Sequence, residues 1–295
     1  MRLRACAPGK VNLCLFLGGT RDDGRHRLVT LFESVSLADD LSLTTLAAEQ
    51  PDEVICPGVP GVNLVSEALA ALRARGWPGP PVRIEIDKRI PVAAGMGGGS
   101  ADAAATLRLA GELAPGRAEE VAEVAAVLGA DVPSQLAPGL VLGTGAGEIV
   151  EPVAPLAQHA FVLIPLPHAL STPEVYREAD RLALPREPHV LDGAHARLLD
   201  ELRPGARLAA ELLVNDLQPA SESLCEAVPE ALAAARACGA DQAMVCGSGP
   251  TVAGLFWGEG GHTRAKAAAV ELSGRFRGAV AATPVGAEFG SPTVS

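Results

Sequence analysis

The chain has 295 residues, 48% of them hydrophobic and 20% charged, which is roughly two domains' worth of globular protein and excludes a largely disordered chain. A net charge of −11 argues against a nucleic-acid coat or an anionic-membrane binder. Aromatic residues at 3% are too few for a base-stacking platform.

Residues 10–17 alternate, Val11, Leu13, Leu15 and Leu17 pointing one way and Lys10, Asn12, Cys14 and Phe16 the other, which predicts a strand. A loop over 18–27 leads to a strand over 28–37, and Asp39-Asp40 predicts a turn into another over 41–45. The pattern predicts a helix over 64–75, with Asn63 as N-cap and Gly76 as stop. Residues 82–87 alternate as a strand, a glycine-rich stretch covers 91–100, and helices follow over 101–113 and 118–128. On the second helix Val121, Val124, Ala125 and Leu128 share one face, and Gly129 stops it. Two short strands within 139–153 close this half.

The second half opens with a buried strand over 161–165 and continues mostly helical to about 237, interrupted by prolines near 185–188. Strands over 243–246 and 251–256, a helix over 263–273 and a strand near 278–282 follow, with a frayed tail over 290–295. The pattern is α+β in two lobes, 1–155 and 156–295. Cys6, Cys14, Cys56, Cys225, Cys238 and Cys246 form no C-x-x-C pair, which predicts a reducing compartment and small buried apolar side chains. Lys10 falls where a signal peptide needs its apolar stretch, so the expected location is cytoplasmic.

Gly95-Met-Gly-Gly-Gly-Ser100 is the strongest local signal. Glycines let backbone approach a bulky anion, and the helix start behind them offers free N–H groups, so the stretch reads as a phosphate cradle. The plainer alternative is a connection capped by Ser100. No lysine follows as a Walker loop requires, and Ser100 stands where a dinucleotide fingerprint needs its last glycine. Of 24 basic residues only three are lysines, so Lys10 hints at a need for a compact ammonium, with Asn12 on its face. Taken alone, Lys10 reads as a solvated strand lysine. Asp131 reads either as a turn residue or as a carboxylate aimed at a hydroxyl that loses its proton. Gly247 and Ser248 lie in a hairpin turn or a second amide nest, and residues 21–27 form a basic patch in an acidic chain.

Taken in order, Ala7-Pro-Gly-Lys-Val-Asn12, Ile90-Pro-Val-Ala-Ala-Gly-Met-Gly-Gly-Gly-Ser-Ala-Asp-Ala-Ala104, Gly129-Ala-Asp-Val-Pro133 and Cys246-Gly-Ser-Gly-Pro250 resemble the motifs of the GHMP kinase superfamily over nearly the whole chain. Asp23-Gly-Arg-His26, Ser171-Thr-Pro-Glu-Val-Tyr176 and Asn215-Asp-Leu217 are similar to one branch of it. That branch uses ATP to phosphorylate the C2 hydroxyl of a cytidine-diphosphate-linked methylerythritol, a small-molecule substrate of non-mevalonate isoprenoid synthesis.

The resemblance implies an N-terminal lobe of the ribosomal protein S5 domain 2-like type and a ferredoxin-like C-terminal lobe, with a cleft between them. It implies ATP on Pro91, Ala94, Gly95, Met96, Gly97, Gly98, Gly99, Ser100 and Ala101, and Mg2+ near Ser100. It implies Lys10 and Asp131 as the catalytic pair, and Asn12, Arg25, His26, Tyr176, Gly247 and Ser248 at the substrate. Arg25 stands where the family has an aromatic residue on cytosine, and a guanidinium can stack there with Tyr176 opposite. A homoserine- or mevalonate-type kinase and a non-catalytic ligand-binding protein of this fold are the alternatives.

Overall fold

The computed structural model describes residues 1–59 and 63–294. Two long antiparallel strands, β1 (Arg2–Thr20) and β2 (His26–Thr45), form the spine. Around them come β3 (Glu53–Ile55), α1 (Leu64–Ala74), β4 (Val82–Asp87), α2 (Gly98–Leu113), α3 (Ala118–Leu128), α4 (Val132–Gln135), β5 (Leu140–Thr144) and β6 (Ile149–Pro152). β4 pairs with the end of β2, and β5 pairs with its beginning at Thr30–Glu33. The alanine-rich flank of α2 and the buried face of α1 close on this sheet, with Ala104, Leu107, Val65 and Leu72 in one cluster with Leu3 and Ile84.

The second lobe contains β7 (His159–Ile164), α5 (Thr172–Arg181), α6 (Pro188–Glu201), α7 (Gln218–Leu224), α8 (Ala227–Ala237), β8 (Gln242–Val245), β9 (Val252–Trp257), α9 (Gly261–Ser273) and β10 (Val280–Ala282). Its sheet runs β10-β7-β9-β8, antiparallel throughout. Alternate residues of β7 serve different cores. Ala160, Val162 and Ile164 pack with α8 and α9, whereas Phe161 and Leu163 pack with Val11, Leu13 and Leu31 of the first lobe. The result is a two-lobe α+β fold whose lobes share a core. Among the described residues no helix is long and apolar enough to cross a membrane.

Four expectations are corrected. The alternation of β1 does not persist, because a register shift between Asn12 and Cys14 inserts Leu13 as an extra residue. Val11, Leu13, Cys14 and Phe16 therefore join the shared core, while Leu15 and Leu17 face the second lobe's helices. Asp39-Asp40 is not a turn but part of β2, since the fully buried Asp39 carboxylate accepts from Lys88 Nζ, Arg89 N and Ile90 N. An aspartate whose partners lie fifty residues away imitates a turn signal in sequence. Only Cys14, Cys225 and Cys246 are buried, and the other three thiols sit half-exposed at sheet and helix margins. The tail does not fray throughout: β11 (Thr293–Val294) pairs with Leu3 and Arg4 on the open edge of β1, while Ser295 lies outside the described residues.

A buried ion pair crosses between the lobes. His159 on β7 places Nδ1 2.7 Å from Ala157 O and Nε2 2.7 Å from Glu33 Oε2 on β2. Both ring nitrogens face acceptors, so the geometry suits an imidazolium against a carboxylate. Burial works against that charge, but the hydrogen bond and charge of Glu33 outweigh it and raise the His159 pKa. The stabilisation is therefore complete below the unfolded imidazole value and fades as pH rises through the folded one. Between about pH 6 and pH 9, chemical denaturation should show the wild type losing more stability than Glu33→Gln. His159→Ala, which strands a buried carboxylate, should cost about 3–5 kcal/mol. Equal pH slopes for wild type and Glu33→Gln would refute the charged pairing.

Candidate functional site

A cavity of about 900 Å³ opens between the lobes, lined by the glycine-rich stretch, β1, the start of β2, α5 and the turn before Pro250. Its floor is the N-terminus of α2. The helix begins at Gly98, three residues before the predicted start, and its N-cap is Gly97 in the left-handed region at φ 67°. Ser100 therefore lies in the first turn and is not the cap. With no capping side chain and no acidic residue in that turn, the first amides are left for an external anion. Gly95, at φ 77°, makes the closest approach: a Cβ there would fall 2.0 Å from Cys246 O. Only a hydrogen at that position lets the loop lie on the second lobe's turn. Pro91, Ala94, Met96, Gly97, Gly98, Gly99 and Ser100 line the cavity. Ala101 does not; its side chain is fully buried and its N–H bonds Gly97 O at 2.9 Å.

Lys10 is tied to this loop twice. Its N–H bonds Met96 O at 2.9 Å, and a Cβ on Gly97 would lie 3.4 Å from its Cε. Far from being solvated, the side chain is buried, and its ammonium donates to Asn12 Oδ1 at 2.7 Å. Asn12 Nδ2 donates to Thr30 Oγ1 at 2.9 Å, and that hydroxyl donates to Cys14 O at 2.7 Å, which fixes the amide's orientation. Asp131, just before α4, brings Oδ2 to 4.0 Å from Lys10 Nζ and stays open on its other side. A buried cation and a half-exposed carboxylate thus meet beside the uncapped helix end. Gly247 joins them from the second lobe, where Asn215 Nδ2 holds its carbonyl at 2.7 Å. Ser248 is held by Thr172 Oγ1 at 3.1 Å and by Ser221 Oγ, which donates to its carbonyl at 2.9 Å.

His26, Arg25 and Tyr176 lie at the other end. Tyr176 faces His26 rather than Arg25, their ring centroids 5.2 Å apart and tilted by 41°. Burial, and then the charge of Asp131, push the Tyr176 phenol well above its ordinary pKa, so it remains protonated. Arg25 is exposed at the rim, its guanidinium 3.2 Å from Asp23 Oδ2.

The sequence reasoning missed Lys88, although the rarity of lysine applied to it as much as to Lys10. Lys88 Nζ bridges Asp39 at 2.5 Å and Asp102 at 2.8 Å beneath the first turn of α2. Burial of the ammonium works against its charge, but the two carboxylates prevail and raise its pKa. Burial, against the charge of Lys88, raises Asp102 to about 7, and Asp102 Oδ1 is enclosed without a partner. Among the described residues no group of three or more His, Cys, Asp or Glu side chains could hold a metal ion.

The GHMP kinases N terminal domain model matches residues 63–139, and the GHMP kinases C terminal model matches residues 191–277. A Corynebacterium efficiens protein named 4-diphosphocytidyl-2-C-methyl-D-erythritol kinase is 43% identical over 270 residues, covering 86% of this chain and 84% of that one. A Corynebacterium diphtheriae protein of the same name is 40% identical and covers 96% of each. Among solved structures, a 4-(cytidine 5'-diphospho)-2C-methyl-D-erythritol kinase has a TM-score of 0.75 at 32% identity, covering 95% of this chain and 98% of that one. A homoserine kinase from Cytophaga hutchinsonii has a TM-score of 0.69 at 16% identity, a likeness of fold alone.

The packing at Gly95 can be tested directly. Gly95→Ala must displace the Cys246 carbonyl and adopt a strained φ, and should cost about 1–3 kcal/mol of stability while raising the ATP KM at least about tenfold. Gly99→Ala, whose Cβ would meet Leu64 Cδ1 at an ordinary 3.6 Å, should leave the melting temperature unchanged or higher. Equal melting temperatures for Gly95→Ala and the wild type would contradict the close approach.

Proposed function

This chain belongs to the GHMP kinase family and is an ATP-dependent small-molecule kinase, and on that premise we propose that its acceptor is the C2 hydroxyl of 4-diphosphocytidyl-2-C-methyl-D-erythritol. The product would be the 2-phosphate, a precursor in non-mevalonate isoprenoid synthesis. The observation that carries the chemistry is the approach of Lys10 and Asp131 to 4.0 Å beside Gly97 and the free amides of α2. The relatives' shared name, and a second end of the cavity furnished with His26, Tyr176 and Arg25, support the cytidyl half.

In this reading the phosphates of ATP lie on the amides of Gly97 to Ser100, where the helix end favours negative charge. Asp131 takes the proton of the acceptor hydroxyl as the oxygen attacks the γ-phosphorus, and ADP leaves. Lys10 stabilises charge on the phosphoryl in flight and lies 4.0 Å from Asp131, while Asn12 fixes the ammonium through Thr30. Because Lys10 is already buried and held by Asn12, its contribution is positioning and electrostatics. His26 would read the cytosine edge, Tyr176 and Arg25 would flank the base, and the turn at Gly247 and Ser248 would face the diphosphate.

Mg2+ fits the donor set as a phosphate-bound ion. The half-buried Ser100 hydroxyl has no hydrogen-bond partner among the described residues and can supply one ligand, the phosphates and water supplying the rest. When bound, the ion neutralises the β- and γ-oxygens. We also divide the lobes near residue 155, in the segment between β6 and β7, with β11 returning to the first lobe's sheet.

Asp131→Asn and Lys10→Ala should each lower kcat by about 10² or more, with ATP affinity largely retained. ADP release under single-turnover and steady-state conditions measures this, and full turnover by either variant refutes the roles assigned. The substrate assignment is tested by comparing kcat/KM for the cytidyl alcohol, homoserine and mevalonate. Preference for an uncytidylylated alcohol would overturn it.

A further inference from the structure

Among the described residues, only one of the two ring nitrogens of His26 has a hydrogen-bond partner. Tyr176 and Asp180 lie one turn apart on α5 and both reach the imidazole. His26 Nε2 lies 2.7 Å from Asp180 Oδ1, with Thr20 Oγ1 farther away at 3.4 Å. An ionised carboxylate can only accept, so the proton belongs on Nε2. Among the described residues Nδ1 has no hydrogen-bond partner, yet it is not one of the enclosed unpartnered atoms. It therefore opens outward from a ring that is 7% exposed and lines the cavity. Among the described residues Asp180 forms no ion pair with an arginine or lysine: on the same helix Arg181 is paired with Glu178, and Arg177 donates to Pro173 O.

We propose that Asp180 is a positioning residue for base selection: by accepting the Nε2 proton it holds the His26 imidazole in the tautomer whose Nδ1 is a bare acceptor, and that acceptor favours a pyrimidine bearing an exocyclic amino group over one bearing a carbonyl there. This rests on the cytidyl reading of the site. The 4-amino group of cytosine donates to such a nitrogen. Uracil sets the O4 lone pairs against the Nδ1 lone pair, and a polar site facing the wrong partner rejects it far more strongly than a missing methyl group would. Tyr176 packs against the imidazole and limits its rotation, so the ring cannot easily exchange its nitrogens.

The test uses the full-length enzyme with ATP and two acceptors, the cytidyl alcohol and its uridyl counterpart. Wild type should prefer the cytidyl substrate in kcat/KM. Asp180→Asn should lower that preference about tenfold, mainly through a higher KM for the cytidyl substrate, with the ATP KM unchanged. Asp180→Glu should recover most of it. In 15N NMR of wild type at about pH 8, His26 Nδ1 should resonate as an unprotonated and Nε2 as a protonated nitrogen, and Asp180→Asn should mix the tautomers. If Asp180→Asn slows both acceptors equally, or the wild-type spectrum shows the proton on Nδ1, this inference fails alone. If wild type turns over neither nucleotide-linked alcohol but accepts a simple one, the cytidyl reading fails with it.

Discussion

An α-helix must do something with its first N–H groups, and α2 does nothing with them internally. Gly97 offers no capping side chain, no acid occupies the first turn, and Asp102, farther along the helix, is buried against Lys88. Leaving amides unpaired is costly inside a protein but tolerable at the floor of a wet cavity. The whole first lobe is arranged to keep that floor in place. β1 holds the loop through the Lys10–Met96 backbone bond, Asp39 and Lys88 brace it from below, and the second lobe's turn presses on Gly95.

The same arrangement explains how a chain with net charge −11 handles a polyanion. Its surface charge matters less than where two cations are buried. Lys10 and Lys88 are each fixed by oxygen acceptors, so neither can turn toward solvent without abandoning partners. Arg108 plays a related structural part: it donates to the carbonyls of Cys6, Gln135 and Gly290, fastening the C-terminal segment to α2 and β1. Burial lowers its pKa to about 10, still far above neutrality. The shared core and the Glu33–His159 pair tie the two lobes together.

The chain's own pattern determined a good deal. Local periodicity placed α1 and its Asn63 cap, α3 to the residue, and the β-turn-β-α-β order near the end, because hydrophobic spacing and glycine stops act over a few residues. Ordered motifs also identified the superfamily and singled out the loop, Lys10 and Asp131, which the fold brings side by side. Tertiary structure alone decided the rest. The bulge at Leu13 divides one apolar row between two cores, Asp39 anchors a loop fifty residues away, and β1 recruits the tail. Lys88 and Asp180 acquire their parts only when β4, α2, α5 and β2 converge, and sequence spacing carries no trace of contacts made across 14 to 154 positions.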